Sequence, residues 1–245
     1  MGIYFRRDQE FDGILIPAAK RWAVPLWLAK GLIATESGWD PQAATYEPSH
    51  ANTPKPGDRD ASFGLMQVTG EAAEGMGTKF PSTTKPGPDG KPKKFYDLTA
   101  LKALGEPGLN AELGMHELYM RIKKYASAGD VVAAYNMGYP RKIADSTMFI
   151  AKIYDKWAID QGYGSYVANF EAWKKAPPPG WVYANQPYVN RVLSYAALYK
   201  AAEEGRPADV ASITAALKKK TCPESFKGIT ALSALDCSSS LSRLG

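Results

Sequence analysis

A break in helical patterning from residue 39 to about residue 97 limits what this chain can become. Within it, "EPSHANTPKPGDRD" and "KFPSTTKPGPDGKPKK" are rich in Pro, Gly and polar residues and read as loops or a short hairpin. Between them "ASFGLMQVTGEAAEGMG" is a short apolar island. Upstream, helices are expected over about 14–22 and then to about 36, with Pro25 in the first turn of the second and Gly38 near its end. Downstream, helical periodicity returns at about 108, where Ala111, Met115, Leu118, Ile122 and Tyr125 form a three-four stripe. Asp130 reads as the N-cap of "VVAAYNMG", with Gly138 as its stop. A helix over about 146–160 would place Phe149, Ile150, Ile153, Tyr154, Trp157 and Ala158 on one side. The run Pro177-Pro178-Pro179-Gly180 marks a break before a helix over about 187–204. A further helix at 209–219 precedes a Ser-rich tail. The expected fold is mainly α, a helical bundle with one long irregular or small β segment at about 39–97.

A chain of 245 residues, 45% hydrophobic and 22% charged, is long enough for one good-sized core or a domain with an appendage. Its net charge of +5 suits a polyanionic partner, whether nucleic acid, anionic lipid or an acidic wall polymer, and discriminates little among them. No apolar run approaches the ~20 residues of a membrane span. The opening "MGIYFRRDQEFDG" does not read as a secretory signal, and Arg6 stands where myristoylation wants Ser or Thr. The expectation is a chain made in the cytoplasm and carried elsewhere by other means. Cys222 and Cys237 read as free thiols, with a bridge closing their short loop as the alternative. His50 and His116 cannot build a metal cluster by themselves, so neither metal nor cofactor is expected.

In "GLIATESGWD", residues 31–40, a carboxylate follows an apolar helical face. Ala29, Leu32 and Ile33 recur at helical spacing, and Glu36 lies along the same face near the helix end. A bland explanation is that it reaches water or pairs with Lys30 or Arg59. Two effects point instead to chemistry: the negative end of the helix dipole and an apolar setting both favour the neutral acid. A glutamic acid of pKa ~4.3 is protonated in about one molecule in 500 at neutral pH, whereas a pKa of roughly 6 gives about one in eleven. Glu36 therefore reads as a general acid.

Four motifs in order, "ESGWDPQA", "SFGLMQVT", "AAYNMG" and "YVNRVLSY", resemble the catalytic domain of soluble lytic transglycosylases, a family of the lysozyme-like superfold to which goose-type lysozyme also belongs. "GLNAELGMHEL" is similar to the Asn-containing helix start of that family. The resemblance covers about 14–200 and implies one domain over 1–204, with an insert at about 139–186. Residues 205–245 then form a possible attachment element. It implies that Glu36 is the sole catalytic acid/base and that Ser37 contacts substrate. It also implies that Gly64, Leu65, Met66 and Gln67 line a saccharide cleft, with Gly64 letting the backbone approach the sugar closely, that Tyr135 and Asn136 face the acid, and that Tyr188, the aromatic opening the last helix, is a further substrate contact. Leu65, Tyr135 and Tyr188 sit at spacings that equally suit a packed core.

The implied substrate is the peptidoglycan glycan strand, cut between N-acetylmuramic acid and N-acetylglucosamine with closure of a 1,6-anhydro ring. A single acid fits substrate assistance, an exception to the usual carboxylate pair. A hydrolase of the same fold would need a second carboxylate, for which Asp40, Asp58 and Asp60 are the nearby candidates. A third reading is a structural component of a phage tail or secretion machine that uses the domain for docking. The expected setting is a bacteriophage particle whose tail or other virion proteins contact the C-terminal region, with no nucleic-acid partner. Trp157, Trp173 and Trp181 in the insert are read as packing residues, with stacking on glycan rings as the alternative.

Overall fold

The computed structural model describes residues 4–86 and 90–204. The expected helix at 209–219, the Ser-rich tail and both cysteines fall outside the described residues. The described residues fall into two compact units. The first holds the chain up to Leu26 and Glu36–Tyr119, the second Trp27–Thr35 and the described residues from Met120.

Three helices open the chain: α1 (Tyr4–Glu10), α2 (Asp12–Arg21) and α3 (Leu26–Glu36). Pro25 directly precedes α3, where its missing N–H and fixed φ suit a helix start. The segment 39–97 is the small β region allowed for, with more order than loops alone. Strands β1 (Ala44–Glu47), β2 (Asp60–Phe63) and β3 (Val68–Thr69) form an antiparallel sheet in the order β1-β2-β3, pairing Ala44 with Phe63 and Glu47 with Asp60. Helix α4 (Gly70–Gly75) follows at once, capped by Thr69 Oγ1, which accepts from Ala72 N at 3.0 Å. The Pro- and Lys-rich stretch makes the hairpin of β4 (Ser82–Pro86) and β5 (Pro92–Tyr96). Glu74 ties this hairpin to α4: it accepts from Lys94 Nζ at 2.6 Å and from Tyr96 OH at 2.6 Å. A 3-10 turn over Ala100–Gly105 leads into α5 (Pro107–Lys124).

The second unit contains α6 (Ala128–Met137), a 3-10 turn over Ile143–Asp145, α7 (Met148–Asp160), α8 (Phe170–Lys175) and α9 (Gln186–Glu203). Its core is built from Val131, Val132, Ala133 and Ala134 of α6 with Val192, Ala196 and Ala197 of α9. Gly31 of α3 meets Ala196 so closely that a Cβ there would lie 2.6 Å from the Ala196 nitrogen.

Three local expectations need correction. The N-cap of α6 is Ser127, three residues before Asp130: Ser127 Oγ accepts from Asp130 N at 3.0 Å and donates to its carboxylate at 2.8 Å. Asp130 thus stands at the third helical position, bonded to the capping hydroxyl through both its N–H and its carboxylate, and Gly138 is the left-handed stop as expected. Phe149 is 56% exposed; the buried side of α7 is Ala151, Tyr154 and Ala158. Helix α3 is buried on every side from Leu28 to Thr35, so Ala29, Leu32 and Ile33 belong to a helix wrapped by core and not to a stripe.

The segment from about 139 to 186 folds around aromatic residues. Tyr166 and Trp181 lie 5.1 Å apart, Trp173 and Trp181 4.4 Å, and all three are buried. Packing is therefore the role the structure gives Trp173 and Trp181. Among the described residues no helix is long and apolar enough to cross a membrane.

Candidate functional site

Glu36 is the last residue of α3 and is half-buried, directly after the enclosed run Leu28–Thr35. The chain then reverses through two left-handed residues in succession, Gly38 at φ +60° and Trp39 at φ +69°. That conformation is costly for a bulky residue. Burial and packing hold it: Trp39 has no exposed surface and stacks on Phe11 with centroids 6.3 Å apart. Ser37 Oγ accepts from Trp39 N at 3.2 Å, so this hydroxyl shapes the turn beneath the acid.

The segment Gly64-Leu65-Met66-Gln67 joins β2 to β3, and Asn110 of α5 pins it. Wholly buried, Asn110 accepts from Met66 N at 2.8 Å and donates to Phe63 O at 2.7 Å and Leu104 O at 2.8 Å. This corrects the reading of Gly64 as an approach for sugar. With φ +75°, a Cβ there would fall 2.6 Å from Asn110 Nδ2, so glycine is required by the pin. Leu65 and Met66 are each 0% exposed, and Met66 packs on Gly114. Their side chains are core, not cleft lining. Gln67, left-handed at φ +48° and half-buried, donates from Nε2 to Ala43 O and Gly64 O at 3.0 Å and accepts from Ser62 Oγ at 2.9 Å.

The acids near this sheet are held by their own loops. Asp40 Oδ1 accepts from Gln42 N at 2.9 Å. Asp58 accepts from Ser49 N, Ser49 Oγ and Lys55 N; desolvation pulls its carboxyl up, but these bonds outweigh it and leave it below its ordinary range. Buried Asp60 accepts from Ala61 N, Gly70 N and Glu71 N at the start of α4, yet burial dominates and pushes its carboxyl up. Glu47 is an acid the sequence reading passed over. It faces Asp60 across the β1–β2 register and pairs with His50 Nδ1 at 3.1 Å; burial, partly opposed by His50, raises its carboxyl.

In the second unit Tyr135 is half-buried and Asn136 is exposed, one residue before the end of α6. Asn136 Oδ1 accepts from Tyr154 OH and from Asn185 Nδ2 at 3.0 Å. Tyr154 meets Trp157 edge-on at 5.9 Å, and Trp157 stacks on Tyr188 at 6.3 Å beneath the Arg191 guanidinium. Tyr188 is only 1% exposed, which corrects its assignment as a substrate contact: it is the buried end of this aromatic row. Tyr154 and Asn185 escaped the sequence reading as site residues because nothing local marks hydrogen bonds that span 18 and 49 residues.

Among the described residues no group of three or more His, Cys, Asp or Glu side chains could hold a metal ion. His116 stacks on Trp22 with centroids 4.1 Å apart. With this geometry in place, comparison with known protein families finds one: the family model of the transglycosylase SLT domain matches residues 14–148, more than half of the chain. No curated protein and no solved structure gives a significant match.

Proposed function

Because the chain belongs to the transglycosylase SLT domain family, whose general reaction is the lytic cleavage of peptidoglycan, we propose that Glu36 is its single catalytic acid and base. The observation that carries this reading is position: inside the matched segment, Glu36 is a half-buried acid at the end of a helix enclosed by core from Leu28 to Thr35, directly before the left-handed turn at Gly38 and Trp39.

In this reading the protonated Glu36 gives its proton to the oxygen between N-acetylmuramic acid and N-acetylglucosamine as the bond from that oxygen to the anomeric carbon breaks. The acetamido carbonyl of the same muramic acid shields the anomeric carbon. The Glu36 carboxylate then takes the proton of that sugar's 6-hydroxyl while its oxygen attacks, closing the 1,6-anhydro ring and restoring the acid. No water is consumed. Ser37 and Gln67 in the first unit, and Tyr135 and Asn136 in the second, remain the proposed substrate contacts; Gly64, Leu65 and Met66 of the first unit and Tyr188 of the second are buried scaffold.

Mass spectrometry of muropeptides released by the wild type and by Glu36→Gln tests this. The wild type is expected to yield anhydro ends, one water lighter than hydrolysed ends. The variant should be slower by about a hundredfold or more, the scale of a lost general acid, while melting like the wild type. Hydrolysed ends would replace the lyase reading with a muramidase; an active Glu36→Gln would remove Glu36 from the chemistry. Delivery by a phage particle is the cellular setting proposed. Purified particles would then show a muralytic band at 26.6 kDa, and particles without the band would dismiss that setting.

A further inference from the structure

A single backbone carbonyl in α6 dictates which way the Asn136 amide faces. The oxygen of Ala133 can only accept, so the Asn185 atom 3.2 Å from it is the amide nitrogen. That nitrogen also lies 3.0 Å from the Asn136 side chain, which must therefore present its oxygen. The Tyr154 hydroxyl donates to the same oxygen. An asparagine at a helix end ordinarily has no fixed polarity, because its oxygen and nitrogen are near-equivalent in shape. Here the order is set by a main-chain atom three residues earlier in the same helix.

Two donors on Oδ1 leave the Asn136 nitrogen on the opposite side of the amide, and the residue is exposed. Asn185 is wholly buried, and its own Oδ1 has no hydrogen-bond partner among the described residues. A buried acceptor is left unsatisfied, yet the side chain is held in place by the two bonds its nitrogen donates.

We infer that Tyr154 and Asn185 are positioning residues, which hold the Asn136 amide oxygen inward so that its two N–H donors meet the acetamido carbonyl of an N-acetylated sugar. A hydroxyl could bond to either end of an amide, so locking the polarity matters only for a partner that accepts and cannot donate. On a glycan of N-acetylated sugars the acetamido oxygen is such a group. The inference rests on the proposed function and deepens it. Tyr154 and Asn185 both lie beyond the residues 14–148 that match the family, within or at the end of the insert. The insert thereby acquires a second task beside packing its aromatic cluster.

The test compares binding of the N-acetylglucosamine hexamer with binding of its de-N-acetylated form, on the full chain carrying Glu36→Gln to prevent turnover. None of the variants compared with that parent alters the net charge further. The parent is expected to favour the acetylated hexamer about tenfold, the scale of one well-placed hydrogen bond. Tyr154→Phe and Asn136→Ala should each bring the ratio below about threefold, with affinity for the de-acetylated hexamer within about twofold of the parent. Should Tyr154→Phe fail to fold, Asn185→Ala removes the other donor and reads the same ratio. An unchanged ratio in the folded positioning variant overturns the inference. So does a parent without preference, and if the wild type still releases anhydro products the proposed function stands. If the ratio and its loss are observed while the wild type yields no product, the amide lock is supported and the reaction is not.

Discussion

In the first unit Asn110 is sealed from solvent and its amide bonds to the main chain at Met66 N, Phe63 O and Leu104 O. In the second unit Asn136 stands exposed, its oxygen held by Tyr154 and Asn185 and its nitrogen on the far side of both bonds. The same functional group is thus a structural pin in one place and an oriented donor in the other. The difference lies in the surroundings: an amide enclosed by backbone has nothing left to offer a ligand. One held at a single atom keeps half its bonding capacity for another molecule.

Four measurements of unfolding free energy would break or sharpen this contrast. Asn110→Ala should cost most, about 3–5 kcal/mol, because it strands two buried carbonyls and one buried N–H at about 1–3 kcal/mol each. A urea-denaturation loss below about 1 kcal/mol would mean that Asn110 is no pin. Gly64→Ala comes next, at about 2–4 kcal/mol, from the left-handed backbone and the 2.6 Å approach to Asn110 Nδ2. In the double variant with Asn110→Ala the two costs should add to less than their sum, since removing Asn110 relieves the clash.

Asp60→Asn should cost about 2 kcal/mol at neutral pH through weakened backbone bonds at the start of α4. Its pH dependence is more telling. Burial raises the folded-state value of Asp60 above the ordinary 3.8, so the stability this group contributes is fully present below 3.8 and lost as pH rises through the raised value. The gap between wild type and Asp60→Asn should therefore widen as pH falls through that window. A narrowing gap would show that the three N–H donors outweigh burial. Asn136→Ala should cost least, about 1 kcal/mol, because truncation at this exposed position lets water replace the oxygen that Tyr154 and Asn185 donate to, while peptidoglycan cleavage slows about tenfold. A large stability loss there, with cleavage unchanged, would make Asn136 a pin like Asn110.

How much of this was readable beforehand depends on the range of each interaction. Pro25, Gly38 and Gly138 marked helix ends through their own backbone preferences, and Glu36 stood out because one acid followed an apolar face. The paired strands at 82–86 and 92–96 were signalled by the proline- and glycine-rich composition of that stretch. Strands β1 to β3 were not, since β2 is buried along its whole length and shows no alternation over its four residues. Six-residue α8 is too short for periodicity to reveal. Asp130 was mistaken for the cap because Ser and Asp three residues apart both favour helix starts, and only their mutual bonds tell which leads. Leu65 and Met66 suit core and groove equally as sequence; their complete burial decides. The partners of Asn136 were beyond reach because folding alone brings them together.

The left-handed turn at Gly38 and Trp39 ties the acid to a distant part of the chain. Trp39, wholly buried, holds its unfavourable backbone with its indole stacked on Phe11, a residue that carries no reactive group. Phe11 thus helps tether the proposed proton donor, and loosening it would let the end of α3 relax even though Glu36 itself is untouched. Shortening the chain through Phe11 would then dull the enzyme by unsettling the aim of its carboxyl rather than by removing any group that meets the sugar.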